Sequence, residues 1–122
     1  MVYKTDAYSN TQTASMSPRE VEAFCLTRAA LMLNDIRQDW EGRRGELDEV
    51  LEKNKVLWVA LTSKINDDDH PLPTDLKQNM ANLALFIFKR TMAIYADPSP
   101  EKLDAIININ RNIAAGLRGD PG

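Results

Sequence analysis

The chain has 122 residues, 43% of them hydrophobic and 27% charged, a length that suits one domain and a composition that excludes disorder over most of it. Its net charge of −3 supplies no global positive field to gather phosphates, so a nucleic acid is not expected as a direct partner. The single cysteine, Cys25, rules out an internal disulfide and a multi-thiolate metal site, fits a reducing compartment and reads as buried filler.

Residues 1–16 are rich in Thr, Ser, Asn and Gln and are expected to form a flexible or docked N-terminal segment, with one helical domain over 17–122. No apolar stretch follows Lys4 to make a signal peptide, and the longest wholly apolar run, Leu83 to Phe88, falls far short of the roughly 20 residues that cross a bilayer. The expected location is the cytoplasm, without membrane insertion. Ser17-Pro18-Arg19-Glu20 then predicts a helix start: Ser17 caps, Pro18 needs no amide partner, and Glu20 can bond back to the cap. The helix runs to about Trp40 and stops near Gly42. Its apolar stripe is Val21, Phe24, Cys25, Met32 and Ile36, broadened by Leu26, Ala29, Ala30 and Leu33. Arg28 falls within the stripe, either as a packed stem whose head reaches solvent or as a charged anchor for a partner.

Gly42-Arg43-Arg44-Gly45 reads as a flexible turn, after which Glu46, Asp48 and Glu49 place negative charge at a second helix start. That helix carries Leu47, Val50, Leu51, Asn54, Leu57, Trp58, Leu61 and Ile65 at helical spacing. Asn54 interrupts the stripe, as a buried residue that fixes packing register or as a contact in a groove. A proline-bounded loop, Asn66 to Pro73, leads to a third helix with Pro73 at its first position. This helix has Leu76, Met80, Leu83, Ile87 and Ile94 on one side and Leu85, Phe86, Phe88 and Met92 elsewhere, so it should be central or show one side to a partner. Ser99 and Pro100 start the fourth helix, where Leu103, Ile106, Ile107, Asn110, Ile113, Ala114 and Leu117 keep helical spacing, with Gly116 and Gly119 as alternative stops. The expected fold is all-α: a small four-helix, bundle-like domain.

Catalytic and metal chemistry find little to stand on. The only histidine, His70, lies in the loop, and no Gly-x-Ser-x-Gly, Walker-type or dinucleotide-binding spacing occurs. Asp67, Asp68, Asp69 and His70 lack the loop pattern that wraps calcium and a second ligand group, so they read as a solvated acidic loop. The pairs Arg43-Arg44 and Lys89-Arg90 are not interleaved with stacking aromatics. No enzyme activity, metal or cofactor is expected.

Several stretches carry a family likeness: Ser17 to Phe24, Asn54 to Trp58, Pro71-Leu72-Pro73, Asn79 to Leu83, and Asp97-Pro98-Ser99-Pro100 through Arg118. They resemble FlaF, a family of bacterial flagellar biosynthesis regulators, in order and without large insertions from Ser17 onward, with Ile109 to Leu117 the most specific part. Ala7-Tyr8 also looks like that family's N-terminal Ala-Tyr. The resemblance implies a cytoplasmic factor needed for flagellin production and export, binding flagellin as a chaperone-like partner in a circuit with the translational regulator FlbT. It transfers no catalytic residues. A helical groove suits an amphipathic helix held through spaced apolar anchors. Arg28, Asn54, Phe86, Asn110 and Arg111 are the candidate partner-binding residues, as polar interruptions of apolar stripes or apolar residues on the weaker face of the third helix. The alternative is a direct RNA-binding regulator of flagellin mRNA, against which the acidic composition weighs.

Overall fold

The computed structural model describes residues 16–65 and 73–119. Residues 1–15 of the N-terminal segment, and the acidic loop with Asp67 to His70, lie outside them. Among the described residues there are four long helices and no strand.

Helix α1 spans Pro18–Gln38. Its start is the expected capping box: Glu20 N–H donates to Ser17 Oγ at 3.2 Å, and Ser17 N–H donates to Glu20 Oε1 at 3.4 Å. The buried line is Ala23, Leu26, Ala30, Leu33 and Ile36. The expected stripe is therefore rotated, because Phe24, Cys25 and Met32 lie only half-buried along its flank. Small Ala23 and Ala30 let a neighbouring helix approach closely, whereas the hydrophobic pattern weights the larger flanking residues.

The segment expected to be a flexible turn is helical. After Asp39 the chain forms the single turn α2, Trp40–Arg43, and a 3-10 turn, Arg44–Glu46. Arg43 ties the two together, bonding Glu46 Oε2 at 3.0 Å and facing Asp35 at 3.8 Å, while Arg44 stacks over Trp40 at 5.3 Å. At Gly42 a Cβ would stand 2.7 Å from Asp39 Oδ2, so a side chain there would push the exposed Asp39 carboxylate aside.

Helix α3, Leu47–Ile65, buries Leu47, Val50, Leu51, Asn54, Trp58 and Leu61 as its spacing predicts. Helix α4 is Thr74–Ala96, with Pro73 as the N-cap rather than the first helical residue. It buries Met80, Ala84, Ile87, Thr91 and Ile94, the Thr91 hydroxyl donating to Ile87 O at 2.7 Å. A 3-10 turn, Pro100–Leu103, leads into α5, Asp104–Arg118. Ser99 stands at the cap position of that turn without a side-chain cap bond. The helix stops at Gly119 in the left-handed region, φ 80°, so Gly119 and not Gly116 ends it.

Helix α1 takes the central place, packing closely on α5 and also on α3, and α3 packs on α4. Arg37 near the end of α1 makes a bidentate pair with Asp104 at the start of α5, and Arg118 at the end of α5 donates to Thr27 at 2.7 Å. These contacts fix α1 and α5 as antiparallel. Helices α4 and α5 meet only thinly. The bundle is thus tight along three seams and loose along the fourth.

Candidate functional site

Asn110 lies where three helices converge. Its Oδ1 accepts from Trp58 Nε1 at 2.9 Å, and its Nδ2 donates to Asn54 Oδ1 at 2.7 Å and to Leu26 O at 3.4 Å. Asn54, Trp58 and Asn110 are all wholly buried, and Asn54 Nδ2 is left without a partner. A polar group taken from water must recover its hydrogen bonds or destabilise the fold. The relay therefore sets the register of α1, α3 and α5 against one another. Asn54 and Asn110, candidate groove residues, have no surface for a docked helix to touch; Asn54 takes the other of its two expected readings, a buried residue that fixes register, joined to Asn110 by one hydrogen bond.

The loose α4–α5 seam leaves a groove of ≈ 660 Å³. Its walls carry Leu76, Leu83 and Phe86 from α4 and Ala105, Ile109 and Ile113 from α5, while Asn79, Asn82 and Asn108 edge it. None of these residues is charged. Phe86 is 38% exposed, and the Arg90 guanidinium lies 5.3 Å from its ring centre, so the aromatic face is held beside the groove. Nearby on α4, Leu85 and Met92 are exposed at 55% and 64%. The wide apolar surface of α4 therefore serves a side that faces out, not a central position.

A second groove, ≈ 380 Å³, follows the α1–α3 seam. Cys25, Ala29 and Met32 meet Val50, Val56 and Leu57 there, and the charged lining residues are Arg28 and Lys53. Arg28 is exposed beside that apolar strip. The candidate residues thus separate: Phe86 belongs to the α4–α5 groove, Arg28 to the α1–α3 groove, and exposed Arg111 lines neither. Sequence reasoning missed Asn79, Asn82, Asn108 and Ile109, and treated Leu76, Leu83 and Ile113 as core. Their signal was an apolar face on α4 wider than one neighbour covers, bordered by asparagines.

Cys25 is free and half-buried rather than fully packed away. Burial is the main cause that raises its thiol pKa, and Glu22 adds to it, while Arg28 and Lys64 oppose. At the α1–α5 contact the hydrogen bond from Arg37 holds the Asp104 carboxyl below its usual range, and Arg43 does the same for Glu46. Among the described residues no helix is long and apolar enough to cross a membrane, and no three His, Cys, Asp or Glu side chains gather as a metal would require.

No curated protein and no solved structure matches the chain. The family model of the flagellar protein FlaF matches residues 4–117, a span that includes both grooves and all of the long helices but Arg118, the last residue of α5. On that match the chain belongs to the flagellar protein FlaF family.

Proposed function

We propose that this protein binds unassembled flagellin as a chaperone-like partner in the cytoplasm, supporting flagellin synthesis and secretion together with FlbT, and catalyses no reaction. The observation that carries this reading is the uncharged α4–α5 groove. Flagellin outside the filament presents apolar, helix-forming ends that self-associate in water. An amphipathic helix laid between α4 and α5 would bury its apolar stripe against Leu76, Leu83, Phe86, Ile109 and Ile113. The asparagines at the edge offer donors and acceptors to polar groups of the guest without selecting for charge.

Isothermal titration with monomeric flagellin tests the reading. A defined complex is expected, with a negative heat-capacity change from apolar burial. Phe86→Ala should weaken it by about 2 kcal/mol, as an aromatic anchor does, while Arg111→Ala should leave it within a few tenths because that side chain lies outside the groove. Absence of a complex at tens of micromolar flagellin, with no change in hydrogen exchange, removes flagellin binding and leaves an indirect regulatory role. A complex that Phe86→Ala leaves intact moves the site elsewhere.

A further inference from the structure

The two grooves differ in charge. The α4–α5 groove has no ionised lining residue, whereas the charged residues lining the α1–α3 groove are both cations, Arg28 and Lys53, in a chain whose net charge is negative. Arg28 is exposed, and Lys53 is engaged by Glu49 at 3.2 Å, a pair in which both side chains are largely solvated and so is easily exchanged. Further along the seam stands Lys64, 59% exposed and 3.9 Å from the buried Glu22 carboxylate. Arg28 lines the groove beside Cys25, whose thiol feels the cations Arg28 and Lys64 and, in the opposite sense, Glu22. Val56, also lining the groove, is 58% exposed, a β-branched residue left on the surface beside the apolar floor, with Glu49 and Glu52 on its outer side.

We infer that the α1–α3 groove is a second docking site, for an acidic amphipathic helix whose apolar stripe covers Cys25, Met32, Val56 and Leu57 and whose flanking carboxylates meet Arg28 and Lys53. Two adjacent helices present a groove into which the ridge of a third packs, as α5 already packs on α1 and α4 on α3. Carboxylates on both edges of the guest would take the place of Glu49 at Lys53 and pair with the exposed Arg28. The site is separate from the α4–α5 groove, so the protein could hold two helices at once, and the inference does not rest on flagellin binding.

The probes are three synthetic helices of about 18 residues, five turns each. They share one leucine stripe and carry Glu, Gln or Lys beside it. The Glu helix should bind the full chain, protect Cys25 from a thiol reagent and shift the amide NMR signals of α1 and α3 around Arg28 and Val56. Arg28→Glu with Lys53→Glu should weaken it about tenfold and favour the Lys helix, with the melting temperature near that of the parent since both side chains are exposed. Phe86→Ala should change nothing here. Equal binding of the Glu and Gln helices, or an affinity indifferent to the double charge reversal, overturns the inference. So does a signal confined to the α4–α5 groove, or a charge reversal whose only effect is to dissociate a dimer of this chain.

Discussion

Asn110 replaces what would be another leucine or isoleucine in the core of α5, and the replacement is tolerated because its bonds have partners on α1 and α3. Truncating it leaves the Trp58 indole N–H and the Asn54 carbonyl oxygen buried and unpaired. Asn110→Ala should therefore cost about 2 to 4 kcal/mol in denaturant melts, from desolvated groups more than from lost contact area. Combined with Trp58→Phe it should cost less than the sum of the two, because the indole donor is then already gone. A strictly additive pair would show that the relay contributes nothing as a unit. At the surface, Asp104 makes a different kind of contribution. Its folded pKa is depressed by Arg37, so the contribution is present above the unfolded carboxylate value, about 3.9, and is lost as pH falls through and below it. Asp104→Asn should narrow the difference in melting temperature between neutral pH and about pH 3, only slightly because the pair is solvated. An unchanged acid profile would remove the pair from the stability of the bundle.

Element boundaries depend on backbone detail that composition leaves open, and the end of α5 is the plainest case. Gly116 and Gly119 were equal candidates for the stop, yet Gly119 has φ 80° and Gly116 is helical with open space where a Cβ would go. Opposite signs follow for the same substitution. Gly119→Ala should destabilise by about 1 kcal/mol, since a side chain resists the left-handed region. Gly116→Ala should stabilise by up to about 1 kcal/mol through helix propensity and a less free unfolded chain. Thermal melts of the two variants check both signs. The four long helices and the Ser17 box were legible because periodicity and cap chemistry are local properties. Helix α2 was not, since Arg43 acts there through contacts with Asp35 and Glu46. The rotation of the α1 face was hidden for a related reason: periodicity names an apolar face, and the neighbour decides which part of it is buried. Phe86 was readable as surplus on α4, but its groove depends on α5 lying loosely against α4, which spacing does not encode.

At the scale of the whole molecule, the distribution of charge decides between protein and RNA as the direct partner. An RNA complex would rest on phosphate neutralisation, and neutralising several phosphates loses about a thousandfold or more in affinity between roughly 50 and 200 mM salt. The α4–α5 groove has no ionised lining residue, only Arg90 beside Phe86, and burial of apolar surface is insensitive to salt over that range. Flagellin affinity should therefore change less than about threefold between those concentrations and should show the negative heat-capacity change of apolar burial. A helix in the α1–α3 groove should respond to salt more strongly, because Arg28 and Lys53 contribute through exposed charge. Titration of flagellin against the parent chain, Phe86→Ala and the Arg28→Glu/Lys53→Glu variant at both salt concentrations separates the possibilities. Salt-insensitive binding lost in Phe86→Ala assigns flagellin to the α4–α5 groove. Salt-sensitive binding lost in the charge-reversed variant moves it to the α1–α3 groove. A steep salt dependence shared with flagellin mRNA, and unaffected by Phe86→Ala, would make RNA the direct partner and the apolar groove irrelevant to regulation.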